Sequence, residues 1–87
     1  LRPASADARA EAAQLAYEAK RYGDAADYLR PLLVIQPRNR FIADLMMRIL
    51  TAQRKLADAR VWGEYYLALD PKAPESYRKW VQSLPRE

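Results

Sequence analysis

Apolar positions in this chain recur at helical spacing, most plainly where Ile42, Leu45, Met46, Ile49 and Leu50 fall at i, i+3, i+4, i+7 and i+8. Four other segments read as helices. Residues 6–21 are rich in alanine, the best helix former, and hold neither glycine nor proline. Ser5 suits the N-cap and Asp7 the first turn, where the helix dipole favours an anion. A second helix follows the break at Tyr22-Gly23-Asp24, with glycine as turn or cap, and runs to about residue 36. Asn39 caps the third helix, which carries the apolar stripe. The fourth spans about 58–68, lines up Trp62, Tyr66 and Leu69, and stops at Pro71. Pro74 and Glu75 suit the first turn of a fifth helix, whose stripe is Tyr77, Trp80, Val81 and Leu84 and which ends at Pro85.

Pro31 falls inside the second helix, where it removes a backbone hydrogen bond and crowds the carbonyl of Asp27. Leu29, Leu32, Leu33 and Ile35 surround it, so burial predicts a bent helix; two short helices with a turn at Pro31 are the alternative. In the first helix Ala12, Ala13, Ala16 and Ala19 make a small inner face that lets a neighbour approach closely. Leu15 falls away from that face, either exposed or covered by a preceding helix or a partner chain.

The second and fourth helices echo each other. YGDAADYLRPLLVIQP at 22–37 aligns with LADARVWGEYYLALDP at 56–71 under a shift of 34 residues. Ala25 falls on Ala59, Tyr28 on Trp62, Leu32 on Tyr66, Leu33 on Leu67, Ile35 on Leu69 and Pro37 on Pro71. A fixed period of this size marks an array of helical repeats. The pattern predicts an all-α fold of about five helices in one domain over 6–84. Repeat one covers 6–39, repeat two 40–73 and a capping helix 74–84, with a disordered lead-in at 1–5 and a tail at 85–87.

Composition narrows the chemistry. There is no cysteine and no histidine, so neither a disulfide framework nor thiolate or imidazole catalysis is on offer. Serine occurs only at Ser5, Ser76 and Ser83, with no base at an obvious spacing, and no glycine-rich phosphate loop is present. Carboxylate pairs such as Asp7 with Glu11 and Asp24 with Asp27 read as solvated faces or helix-end charges. We expect no enzyme activity, no metal and no cofactor. No apolar run reaches the ~20 residues of a membrane helix, so this segment should not insert into a membrane. Sixteen alanines and eleven arginines against four lysines suggest a high-GC bacterial source, hence a bacterial cytoplasm or periplasm. The chain starts at Leu1 rather than methionine, as expected of a fragment or processed form.

The net charge of +4 raises nucleic acid as a partner. All of the excess lies in residues 37–60, as Arg38, Arg40, Arg48, Arg54, Lys55 and Arg60 against Asp44 and Asp58. Spread over a helix, a turn and the start of another helix, these side chains point several ways. A scattered solvated surface fits them better than a stripe that tracks phosphates.

The period, the closing prolines and the helix pattern resemble the tetratricopeptide repeat (TPR), a helix–turn–helix unit of 34 residues. Its alanine and proline are matched by Ala25 and Pro37 and by Ala59 and Pro71. In its first helix the family favours an aromatic, leucine, glycine and tyrosine. This chain departs from that with Arg9, Ala12, Ala13 and Ala16 in one unit and Ala43, Met46, Met47 and Leu50 in the other. Tyr77, Trp80, Val81 and Leu84 occupy those places in a half unit that looks like a capping helix. Met47 is large where the family prefers glycine and Gly63 tiny where it prefers an aromatic, so the two should face each other with total volume conserved.

The resemblance implies a right-handed superhelix of antiparallel helices with a concave face lined by the first helix of each unit. By register that face carries Ala10, Gln14, Tyr17 and Glu18, then Phe41, Asp44, Arg48 and Thr51, then Arg78 and Gln82. Members that grip chaperone carboxylates place lysine and asparagine where this chain has Ala10, Gln14, Asp44 and Arg48, which argues against that ligand class. Tyr17 and Phe41 are the expected anchors. The expected function is a protein- or peptide-binding scaffold in a larger assembly. The alternatives are self-association through the alanine-rich face, giving a homo-oligomer, and a basic helical nucleic-acid-binding domain.

Overall fold

Five helices account for the regular structure: α1 (Ala6–Glu18), α2 (Tyr22–Ile35), α3 (Arg40–Ala52), α4 (Leu56–Leu69) and α5 (Glu75–Ser83). They come from a computed structural model, which describes residues 6–86. No strand occurs among the described residues, so the chain is all-helical. Short connections force sequential helices into antiparallel neighbours: α1 packs on α2, α2 on α3, α3 on α4 and α4 on α5, while α1 also touches α3.

The period is visible in the backbone. Adding 34 to the bounds of α1 gives those of α3, and adding 34 to those of α2 gives those of α4. The turns obey the same shift. Arg21 N donates to Ala16 O at 2.8 Å and Lys20 N to Tyr17 O at 3.0 Å; Lys55 N donates to Leu50 O at 2.9 Å and Arg54 N to Thr51 O at 3.1 Å. Both are Schellman ends, with Lys20 and Arg54 in the left-handed region at φ 64°.

This corrects the reading of Gly23 as the turn. Gly23 lies in the first turn of α2, whose N-cap is Arg21, and α1 ends at Glu18 rather than near residue 21. The Schellman hydrogen bonds fix where the chain reverses, and a lysine accepts the αL strain. For the same reason α4 starts at Leu56, two residues before the expected Asp58. Pro74 is the N-cap of α5 rather than part of its first turn. Asn39 caps α3 as expected, its side chain accepting from Phe41 N at 2.9 Å. The cap expected at Ser5 lies outside the described residues, as does the side chain of Asp7.

α2 runs unbroken through Pro31, because Leu29 and Leu32 on either side of it are fully buried. The core centres on α3, where Ile42, Leu45, Met46, Met47, Ile49 and Leu50 are all buried, with Ala13, Ala25, Ala59 and Val81 packed around them. Of the small residues expected on the inner face of α1, only Ala13 is buried; Ala12 and Ala16 are half-buried and Ala19 is exposed. Met47 and Gly63 do face each other, since Met47 Sδ lies 3.0 Å from where a Cβ on Gly63 would fall. No helix among the described residues is long and apolar enough to cross a membrane.

Candidate partner-binding face

Phe41, Asp44, Arg48 and Thr51 recur at three- and four-residue steps on the side of α3 away from its buried stripe. Phe41 stands in the first turn and is 48% exposed. Asp44 is half-buried because two neighbours draw it in: Arg48 Nε donates to its Oδ2 at 2.9 Å, and the hydroxyl of Tyr77 on α5 donates to its Oδ1 at 2.7 Å. Arg48 also lies over the ring of Trp80, 5.6 Å from the centroid, a cation–π position. The result is a charged pair on α3 framed by two aromatics of α5.

These contacts fix the charge states. The hydrogen bond to Asp44 raises Arg48 above the ordinary arginine value, against burial that works the other way. Burial raises the Tyr77 phenol far above the usual tyrosine value, and its hydrogen bond to the Asp44 carboxylate adds to the shift, so it stays a donor. Tyr77 in turn packs against Tyr66 of α4, ring centroids 4.6 Å apart, and edge-on against Trp80 at 5.5 Å. Tyr66 is raised by burial first and then by Asp70, to which its hydroxyl donates at 3.3 Å. Arg40 reaches the same carboxylate at 3.4 Å.

The other residues picked by register are less gathered. Tyr17 lies within electrostatic reach of Arg48 but leans on Tyr22, ring centroids 5.8 Å apart, and is half-buried. Gln14 donates to Glu18 at 3.0 Å along α1, and Ala10 packs against the core. Thr51 turns its hydroxyl onto Met47 O at 2.8 Å. On α5, Arg78 reaches Pro71 O at 3.4 Å and Gln82 is exposed. Tyr77 and Trp80, part of the apolar stripe expected on α5, pack against the core and also border this face, which the sequence pattern did not show; their polar tips and edges join Asp44 and Arg48 through contacts more than thirty residues apart in the chain.

The basic excess of residues 37–60 is divided. Arg40 and Arg48 pair with carboxylates, and Arg60 bonds Glu64 at 2.9 Å and the carbonyls of Gln82 and Leu84 at 2.9 and 2.6 Å. Arg38 and the pair Arg54 and Lys55 stand exposed beyond opposite ends of α3. Among the described residues no group of three or more carboxylate side chains is placed to hold a metal ion.

No family model, curated protein or solved structure matches this chain.

Proposed function

We propose that the chain is a TPR-like helical-repeat domain that binds a peptide or protein on the face built by α1, α3 and α5. The observation that carries the reading is the cluster on that face, where Arg48 is exposed between Asp44 and the Trp80 ring with Phe41 exposed one turn from Asp44. The 34-residue recurrence of helix bounds and turns supports the architecture, because it makes α1 and α3 equivalent first helices of successive units. An aromatic anchor beside a charge held in place by its own neighbours suits an extended or helical segment with an apolar residue next to a carboxylate. The carboxylate would meet Arg48, and the apolar group Phe41.

Selection of peptides from a displayed random library tests this. Ligands enriched for an acidic residue near an apolar one, with affinity lost on Arg48→Glu and Phe41→Ala while the fold persists by circular dichroism, are the expected result. Ligands indifferent to both substitutions would remove the face from the proposal.

A further inference from the structure

The helices leave a groove on the side of α3 turned away from Phe41 and Arg48. α2 and α4 each pack on α3 without their backbones meeting, so Met46 and Leu50 of α3 form a floor between two walls. Leu33 stands on the α2 wall, Val61 and Trp62 on the α4 wall, and two hollows of about 190 and 230 Å³ share these three residues and run into each other. Pro37 and Tyr65 line the far end of the first, where the Tyr65 hydroxyl donates to Pro37 O. The rims are apolar and open. Val34, four residues from the lining Arg30 on α2, is 83% exposed, and Val61 is 62% exposed.

Both ends are basic. Arg38 follows Pro37 at one end, and at the other a third hollow of about 400 Å³ continues from Asp58 to Arg54 and Lys55. All three cations are exposed, and none pairs with a carboxylate among the described residues. Arg30 in the wall is already held by Asp27, which leaves Asp58 as the single carboxylate of the lining set against them.

This pattern separates the covers the groove could take. Further repeats at either end of the array would stack on α1 and α2 or on α5 and touch only their neighbours, leaving this flank open. A second copy would set its own Arg38, Arg54 and Lys55 against the same three, and like charges oppose that contact. A nucleic acid needs cations along its whole track, and here the middle is apolar. An apolar helix with carboxylates at both ends meets each feature. α3 has 13 residues and is about 20 Å long, so those carboxylates must stand about four turns apart.

We propose that this groove docks an amphipathic helix of another protein, its apolar stripe laid on Met46, Leu50 and Trp62 and its acidic ends reaching Arg38 and the Arg54–Lys55 pair. The groove and the Phe41–Arg48 face lie on opposite sides of α3, so either site can fail without the other.

The probe is a synthetic helical peptide of about 18 residues with a leucine stripe and two glutamates at each end, titrated into the ¹⁵N-labelled protein. A control peptide carries lysines in place of the glutamates. Saturable shifts at the amides of Leu33, Val34, Met46, Val61 and Trp62 are expected, unaffected by Phe41→Ala, with affinity at least tenfold lower for the control peptide and for Val61→Glu. Val61 is exposed, so its variant should fold; Val34→Glu serves as a second. Arg38→Glu combined with Lys55→Glu should reverse the preference between the two peptides, which non-specific apolar contact would not do. Absence of shifts, equal binding of both peptides, or shifts confined to Phe41, Asp44 and Arg48 overturns the proposal. So does sedimentation of the protein alone as a dimer that Val61→Glu breaks, because the occupant is then a second copy, and so does a single-stranded oligonucleotide that shifts the same amides at lower concentration than the peptide.

Discussion

Met47 fills the space that a side chain on Gly63 would need, its Sδ 3.0 Å from the place of a Cβ there. Val81 closes the same space from α5, with Cγ2 at 2.8 Å and Cγ1 at 3.0 Å. Methionine can swing its thioether aside, but a β-branched valine on a helix has little rotamer freedom. Gly63→Ala gains about 1 kcal/mol of helix propensity and meets an overpacking cost of about 1–3 kcal/mol, so we expect a net loss of about 1 kcal/mol in a urea melt. Gly63→Phe should lose about 3 kcal/mol or more, a large part of the ~4–13 kcal/mol that a chain of this size holds. Val81→Ala should rescue the alanine variant. A Gly63→Phe protein as stable as wild type would mean that α3, α4 and α5 do not meet here.

Much of this junction was legible beforehand, because the resemblance to the tetratricopeptide repeat implies that the positions of Met47 and Gly63 face each other. The apolar stripe of α3, the Asn39 cap and the passage of α2 through Pro31 were legible from the residues themselves: each depends on residues close in sequence or on burial large enough to override a local defect. What escaped depends on distant partners. Nothing in residues 56–64 says that Arg60 reaches the carbonyls of Gln82 and Leu84, or that Asp44 is drawn inward by Tyr77. The turns escaped by a different route. Gly23 reads from the sequence as the turn or cap, yet hydrogen bonds to Ala16 and Tyr17 place the turn's left-handed residue at Lys20.

Lys20 and Arg54 therefore carry avoidable strain. Each is exposed, at φ 64°, where a side chain costs about 1 kcal/mol or more. Glycine removes that cost and gives back part of it through a more flexible unfolded chain. Lys20→Gly and Arg54→Gly should each raise stability by about 0.5 kcal/mol, and the double variant by about the sum, since the two turns are distinct and share no hydrogen-bond partner. Chemical melts of the three variants check this; a loss in either single variant would show that its turn is not left-handed.

Tyr77 predicts the alkaline behaviour. Its folded-state pKa lies well above the ordinary 10.0, through burial first and the Asp44 hydrogen bond second. Below pH 10 the folded and unfolded chains both keep the proton, and its contribution is fully present. Above it the unfolded chain ionises while the folded one does not, so stability falls as pH rises. Tyr77→Phe should be less stable at neutral pH by about 1 kcal/mol, the net worth of the lost hydrogen bond, and should show a shallower decline above pH 10. Tyrosinate absorbance should likewise show one fewer late-titrating group in the variant. Equal alkaline slopes in the two proteins would contradict the Tyr77–Asp44 contact.

Arg60 looks from composition like one more surface charge, but its side chain is only 11% exposed. It spans from α4 to the end of α5, where one guanidinium nitrogen donates to both Gln82 O and Leu84 O while Nε holds Glu64. The last carbonyls of a helix have no partners within it, so this arginine supplies what the backbone lacks there. Hydrogen bonds from a charged donor are worth about 1.5–3 kcal/mol, and Arg60→Ala should lose about 2 kcal/mol. Arg60→Lys keeps the charge but cannot serve both carbonyls and Glu64 with the same planar fork, so it should fall between. Because α5 covers Gly63 through Val81, the loss should appear as faster amide hydrogen exchange in α5 than in α1 and α2. Uniform exchange across all five helices, with Arg60→Ala melting like wild type, would show that the clamp does not hold α5 in place.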